Sequence, residues 1–269
     1  MKAFLDTTIL TTVLLKEGRP RDTCLIALKR YESTEMPVYA IKEFKAGPLS
    51  YWVWLHNKLK VGHSLAEGIT AIRALNPLQV HRKATALEAL EYALQKQKNV
   101  SIADWPEKYG GDGEPDRIMA DRIRFSMRRR IAKAWNDRHK IADKTVLPLS
   151  CYHEVSPQEG KDGLLDIQPI RCDQPDCYLA KEMKKDPASL VKIRDSLSKL
   201  PQKPENVNRL RVIKEMIRVP KREVSDELCR KLGDAVFAFF APPDAAILTT
   251  NAADHLPLAE ALGKQVETP

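Results

Sequence analysis

Four acidic side chains stand near predicted strand ends or in a late helix, where acids could hold a metal ion. They are Asp6 after KAFL, Glu43 after MPVYAI, Asp234 in LGDAVFAFF and Asp254 after ILTTN. Carboxylates at close range raise one another's pKa unless a cation compensates their charge. Oxygen ligands of this kind suit Mg²⁺ or Mn²⁺, which can activate water for attack on a phosphodiester. If the fold gathers these acids, the sequence predicts metal-dependent hydrolysis.

The elements around the first two acids predict a parallel sheet. Residues 2–5 form a short apolar run that ends at Asp6, after which TTILTTVLL changes to helical spacing. A helix over 21–32 and a second strand in MPVYAI complete a βαβ unit, which is typical of parallel sheets. Glu43 is then expected at the carboxyl end of that strand, near the start of the next helix.

The C-terminal part returns to the same alternation of helix and strand. Residues 225–241 predict a helix capped by Ser225, PPDAAILTTN predicts a strand, and residues 256–263 predict a last helix. Ligands bind at the carboxyl ends of strands in open α/β sheets, so acids far apart in sequence can meet there. Acids at such positions are also common as helix caps or solvent-exposed residues, and spacing alone leaves both interpretations open.

The middle of the chain has a different pattern. From about residue 60 to 223, strand signals nearly vanish and amphipathic helices alternate with breakers such as YGGDGEP and LPQKPE. We therefore predict a discontinuous α/β domain formed by residues 1–59 and 224–269. A mainly α-helical insertion, residues 60–223, interrupts it.

Within this insertion, residues 115–140 predict a long basic amphipathic helix. The formal net charge of the chain is +8, which favours attraction to a polyanion. Arg128, Arg129 and Arg130 are candidate phosphate contacts, although a solvated helix face would look the same. The expected apolar positions recur about one turn apart: Ile118, Ile123, Met127, Ile131 and Trp135.

Cysteine and histidine residues in the insertion form a second candidate metal site. Cys151, His153, Cys172 and Cys177 provide four ligands of the types that tetrahedral zinc accepts. Their spacing is not that of a standard zinc finger, and buried thiols without a metal remain the alternative. The five cysteines of the chain do not predict a disulfide framework.

Four segments of the sequence resemble the acidic motifs of the PIN domain family, in the family's order. These are FLDTTIL, YAIKEF, LGDAVFAFF and ILTTNAADH, and the resemblance covers roughly residues 1–55 and 225–269. It implies a three-layer α/β fold with a central parallel sheet. It also implies that Asp6, Glu43, Asp234 and Asp254 are catalytic and bind Mg²⁺ or Mn²⁺. On the same resemblance, residues that support the acids or contact phosphate are Thr7, Thr250 and Asn251.

The resulting functional prediction is a metal-dependent endoribonuclease, with a toxin or defence role in keeping with the family. RNA is favoured over DNA as the partner, and a protein inhibitor or homo-oligomerisation is compatible with the large insertion. The alternatives are a PIN-like module that binds RNA or protein without cutting, a metal-dependent phosphatase, and a DNA or flap nuclease. No apolar run is long enough to span a membrane, so a cytoplasmic protein without a membrane partner is expected.

Overall fold

A five-stranded parallel sheet forms the centre of the molecule. The computed structural model describes residues 1–77, 79–97, 115–168, 177–219 and 231–269. The strand order is β3-β2-β1-β6-β7, and every neighbouring pair is parallel. The strands are β1 (Lys2–Leu5), β2 (Ser33–Pro37), β3 (Lys144–Val146), β6 (Ala245–Leu248) and β7 (Val266–Glu267). The predicted α/β class with a central parallel sheet is therefore confirmed.

The two central strands are buried on both faces. Ala3, Phe4 and Leu5 are consecutive in β1 and almost fully buried, as is the whole of β6. Successive side chains of a strand point to opposite faces, so burial of consecutive residues requires cover on both sides of the sheet. In register, Leu5 pairs with Leu248, which brings the carboxyl ends of β1 and β6 side by side.

Helices provide this cover in two groups. The helices of the first group precede β3 in the sequence, and those of the second group follow it. The first group comprises α1 (Thr7–Leu15), α2 (Arg19–Leu28), α3 (Val38–Phe44), α4 (Ser50–Gly62), α5 (Leu65–Arg73), α6 (Val80–Gln95) and α7 (Pro115–Asp137). The second comprises α9 (Pro187–Lys199), α10 (Pro204–Arg218), α11 (Asp234–Phe240) and α12 (Ala252–Ala261), with the short α8 (Tyr178–Met183) preceding them.

The second strand lies earlier in the chain than predicted. It spans Ser33–Pro37, where Thr34 and Met36 are buried and Glu35 between them is less so. The apolar run that suggested a strand at 36–41 is divided, because Met36 and Pro37 end β2 and residues 38–41 begin α3. A π-helical turn, Lys45–Leu49, then joins α3 to α4. Glu43 is consequently near the end of α3, and the prediction that it begins a helix after the strand was wrong.

Part of the predicted insertion belongs to the sheet. β3 lies inside residues 60–223 and pairs with β2, and Asp143 accepts hydrogen bonds from the backbone and hydroxyl of Thr34 at 2.7 and 3.0 Å. A small antiparallel pair, β4 (Gln158–Glu159) with β5 (Leu165–Asp166), also lies there. The buried hydrophobic residues form one cluster that includes Phe4 and Ile123, so the described parts of the helical segment share the core of the sheet.

The long basic helix is present as α7. Ile123, Met127, Ile131 and Trp135 are buried, as the apolar spacing predicted, whereas Ile118 is only partly buried. In the part of the chain that the structure describes, no helix combines the length and the apolar character needed to cross a membrane.

Candidate active site at the carboxyl edge of the sheet

Asp6 is fixed at the point where β1 meets α1. As the N-cap of α1, its Oδ1 accepts a hydrogen bond from the Thr7 amide at 2.7 Å. Its Oδ2 accepts from the Thr8 amide at 3.3 Å and from the Thr8 hydroxyl at 2.7 Å. The side chain is only 3% exposed. Asp6 therefore has the capping role that acids after strands commonly have, but it is far more buried than a cap requires.

Two residues from the β6–α12 region complete the surroundings of Asp6. The Thr249 hydroxyl donates to its Oδ2 at 2.8 Å, and His255 Nε2 lies 3.5 Å from the same oxygen. Burial alone would raise the pKa of Asp6, but the hydrogen bond and charge of His255, with the Thr8 and Thr249 hydroxyls, outweigh burial and lower it. Burial likewise opposes the charged form of His255, yet Asp6 and Asp234 raise its pKa above the ordinary value. Asp6 is thus ionised, and His255 tends to carry the opposite charge.

Glu43 reaches the same edge from α3. Its Oε2 accepts a hydrogen bond from the Thr7 hydroxyl at 2.7 Å. The amide of the same threonine donates to Asp6, so Thr7 connects the two acids. Burial raises the pKa of Glu43 to about 7, and the negative charges of Asp6 and Asp234 act in the same direction. These three acids are therefore close enough to repel one another.

Asp234 approaches from the other side, at the first turn of α11. It begins this helix instead of lying inside one, because Gly233 before it adopts a φ of 46° that L side chains rarely adopt. Its Oδ1 lies 3.5 Å from His255 Nε2, and Arg209 Nη2 of α10 donates to its Oδ2 at 2.5 Å. A Cβ at Gly233 would come within 3.0 Å of that guanidinium. The glycine thus allows the buried Arg209 to reach the acid.

Asp254 has a different environment from the other three acids. It is exposed at the start of α12 and accepts a hydrogen bond from Asn251 Nδ2 at 2.5 Å. Thr250 is also exposed, and its backbone amide donates to the Thr8 hydroxyl at 3.0 Å. Asn251 and Thr250 therefore lie at the edge with Asp254, whereas the buried His255 is the residue of this motif that contacts Asp6.

Several residues of the site were not predicted. His255 is adjacent to Asp254 in the motif TTNAADH, and this position in an acidic motif was a signal for a site residue. Thr8 lies in the motif FLDTTIL and Thr249 in the motif ILTTNAADH. Arg209 is buried on the same side of α10 as Val212, Ile213 and Met216. Helical spacing was therefore a signal for a buried arginine, although it does not identify Asp234 as the partner.

The carboxylates fit Mg²⁺ or Mn²⁺ by chemistry more clearly than by arrangement. These ions prefer hard oxygen donors. Burial raises the pKa of Glu43, the charges of Asp6 and Asp234 add to this effect, and a divalent ion would oppose both. As the side chains stand, however, no three His, Cys, Asp or Glu residues of the described ranges form a group that could hold a metal. Both Asp234 oxygens face cations, Arg209 and His255. Metal binding at Asp234 therefore requires at least one of these contacts to open.

The arginines predicted to contact phosphate are mostly engaged within the protein. Arg130 is 7% exposed and donates to the Lys16 carbonyl at 2.8 Å, and Arg128 forms an ion pair with Glu159. Arg129 is exposed and lies over the Phe125 ring, with its Cζ 5.8 Å from the ring centroid. Of the three, Arg129 is therefore the one most accessible to a phosphate.

The predicted zinc ligands do not form a complete site among the described residues. Cys172 lies outside those residues. Cys151 is buried and accepts from Lys42 Nζ at 3.4 Å, and Cys177 is buried at the start of α8. The three that are described, Cys151, His153 and Cys177, do not make a group that could hold a metal.

No protein-family model matches this chain, and no significant match was found among curated proteins or among solved structures. The chemistry of the site must therefore be inferred from its own side chains. Asp6, Glu43 and Asp234 come from three separate elements, and only charge interactions and hydrogen bonds connect them. An acid cluster of this kind costs stability, which favours a functional explanation for it.

Proposed function

We propose that this protein is a metal-dependent endoribonuclease that uses Asp6, Glu43 and Asp234 to hold Mg²⁺ or Mn²⁺. The observation that carries the proposal is the convergence of three carboxylates at the carboxyl edge of a parallel sheet. Burial raises the pKa of Glu43 there to about 7, and the charges of Asp6 and Asp234 act in the same direction. The four PIN-like sequence motifs support it, since they supply these same acids in order. A PIN-like arrangement of the sheet and its helices is part of the proposal, as is a toxin or defence role.

The side chains suggest a division of labour during hydrolysis. When bound, the divalent ion supplies an activated water and positive charge for the scissile phosphate. Asp6 stays ionised because its hydroxyl, amide and His255 partners stabilise the charge. The Glu43 carboxylate lies beside the same site and is available either to the ion or to a proton from the attacking water. Thr7 holds Glu43 in place through its hydroxyl.

Arg209 has two possible partners in this scheme. It neutralises Asp234 in the free protein, and its guanidinium can turn to a phosphate oxygen once the acid binds a metal ion. The exposed Asn251, Thr250 and Asp254 lie where the flanking nucleotides would pass. We assign Asp254 a weaker role than the other three acids, because it is exposed and the acids whose charges act on the Glu43 carboxyl are Asp6 and Asp234.

Cleavage assays with matched variants test this function. Purified protein is incubated with total RNA in Mn²⁺ or Mg²⁺, with EDTA as the metal-free control. Asp6→Asn should reduce cleavage at least about 100-fold, because it removes a ligand charge at nearly constant size. Asp244→Asn is the matched control, since Asp244 forms an exposed ion pair with Lys2 away from the cluster. Cleavage that survives EDTA, or equal cleavage by both variants, contradicts the proposal.

A non-cleaving RNA-binding module is the second candidate. The contacts of Arg209 and His255 with Asp234 favour it, because these cations already compensate the acid without a metal. This candidate predicts RNA binding that is the same in Mn²⁺ and in EDTA, with no cleavage products.

A panel of single-stranded DNA, duplex and flap substrates in the same assay distinguishes a DNA nuclease from both the ribonuclease and the non-cleaving module.

A further inference from the structure

A cavity of about 420 Å³ lies next to the acid cluster, and threonine hydroxyls and two cations are among the groups that line it. Its volume is within the range of small-ligand sites, roughly 300–1,000 Å³. No Asp or Glu is among the residues that line it in the described part of the chain. Its lining residues are Thr12, Lys16, Arg19, Pro20, Thr23, Cys24, Thr250, Thr268 and Pro269.

Helix α1 connects this cavity to Asp6. Thr8 contacts Asp6, and Thr12 follows four residues later on the same side of the helix. Lys16 follows after four more residues, at the C-cap of the helix. Each interval advances about 6 Å along the helix axis. Thr250 lines the cavity, and its amide is bonded to the Thr8 hydroxyl at 3.0 Å, so acid cluster and cavity meet there.

The cations of the cavity are available for an anionic ligand. Arg19 is exposed and forms no ion pair with any residue that the structure describes. Lys16 pairs with Glu88 at 2.9 Å, but both side chains are more than a third exposed. Exposed pairs of this kind contribute little and exchange readily for another partner. The threonine hydroxyls of the lining can donate to phosphate oxygens in addition.

We propose that this cavity binds the phosphate backbone of RNA beside the scissile bond, with Lys16 and Arg19 contacting the phosphates. The inference rests on the proposed nuclease function and names the part of the surface that its substrate strand would follow. Two cations reaching the backbone at one end of α1, with the acids at the other, would hold a strand across the edge of the sheet. The arginines of α7 would then not be required for substrate binding at this point.

Binding of a fluorescent single-stranded RNA pentamer, measured by anisotropy in EDTA over a range of salt, tests this inference without cleavage. The doubly substituted protein Lys16→Ala/Arg19→Ala should bind at least about tenfold more weakly than the unsubstituted protein. Its slope of log affinity against log salt should be smaller by about 1.4, since each lost phosphate contact on a single strand changes it by about 0.7. Lys29→Ala/Arg30→Ala is the matched control, because it removes two exposed cations from the far end of α2.

The outcomes separate this inference from the proposed function. Weaker binding and a smaller slope in the Lys16/Arg19 variant support the site even if no RNA is cut, in which case the catalytic proposal alone falls. Equal binding and slopes in the Lys16/Arg19 and Lys29/Arg30 variants overturn the site even if the protein cleaves RNA. If 5′-AMP binds as tightly as the pentamer, with the same dependence on Lys16 and Arg19, the cavity is a mononucleotide site and the assignment to a strand is wrong.

Discussion

The acidic edge of the sheet and the arginine-rich helix α7 both contain many charged side chains, but these side chains have different surroundings. At the edge, Glu43 remains close to two other acids, and its pKa rises to about 7. In α7, Arg122 and Arg130 are buried within the packed core, and Arg130 donates to the Lys16 carbonyl and lies over the Tyr92 ring. The acidic edge is therefore the stronger candidate for a functional site, since packing within the protein accounts for the buried arginines of α7.

The largest expected effect concerns Glu43. Glu43→Gln should reduce RNA cleavage about 100-fold or more, because the amide neither accepts a proton nor contributes charge to a metal site. In EDTA at pH 8 the variant should unfold at the same or a higher temperature than the unsubstituted protein, since it removes the charge that Asp6 and Asp234 repel. Glu260→Gln, an exposed change on α12, is the control and should alter neither property. A large loss of stability in Glu43→Gln would make the acid structural.

The next effect tests whether α7 is a structural helix. Arg130→Ala should lower the free energy of unfolding by about 2–3 kcal/mol, because it removes a buried guanidinium and leaves its partners unsatisfied. Arg129→Ala should change it by less than about 0.5 kcal/mol, since this side chain is exposed. Urea unfolding followed by circular dichroism measures both. Equal values for the two variants would remove the distinction between buried and exposed arginines of this helix.

A pH effect is expected beside α7, at His56. Burial lowers the pKa of this histidine to about 4, with Arg124 and Arg128 acting in the same direction. The unfolded chain therefore binds the proton more readily than the folded protein between about pH 6.5 and 4, and stability falls as pH decreases through that range. His56→Gln should reduce this acid-induced loss by about 2 kcal/mol. Urea unfolding of both proteins at pH 7 and pH 4.5 gives the difference, which should be absent if His56 titrates normally.

The smallest expected effect concerns Arg209, which contacts Asp234 at the acidic edge. Arg209→Ala removes one cation that contacts Asp234 while His255 remains, and it should cost about 1–2 kcal/mol of stability in EDTA. With saturating Mn²⁺ the deficit should become smaller, because the metal compensates the same carboxylate. Thermal unfolding of both proteins in EDTA and in Mn²⁺ provides the four values needed. A deficit that Mn²⁺ leaves unchanged would mean that Asp234 and the metal do not interact.

Local pattern was enough to predict some of this structure. The apolar run before Asp6 and the helical spacing after it predicted both β1 and the start of α1. The run before residue 250 likewise predicted β6, and the spacing of Ile123, Met127 and Ile131 predicted the buried side of α7. These elements are long or apolar enough for local sequence to determine them.

Tertiary interactions decided the rest. β3 and β7 have three and two residues, and pairing with a neighbouring strand is what makes them strands. Met36 and Pro37 end β2 whereas VYAI enters α3, and the apolar run alone does not show where the strand ends and the helix begins. Arg209 meets Asp234 only because α10 lies beside the start of α11, a contact that no spacing in the sequence encodes.

Direct titration with Mn²⁺, followed by electron paramagnetic resonance of the free ion, tests most directly whether the acidic edge is a metal site. We predict saturable binding to the unsubstituted protein and to Asp244→Asn, with binding to Asp6→Asn at least about tenfold weaker because a ligand charge is lost. Absence of binding to the unsubstituted protein, or equal affinity in Asp6→Asn, would contradict this assignment.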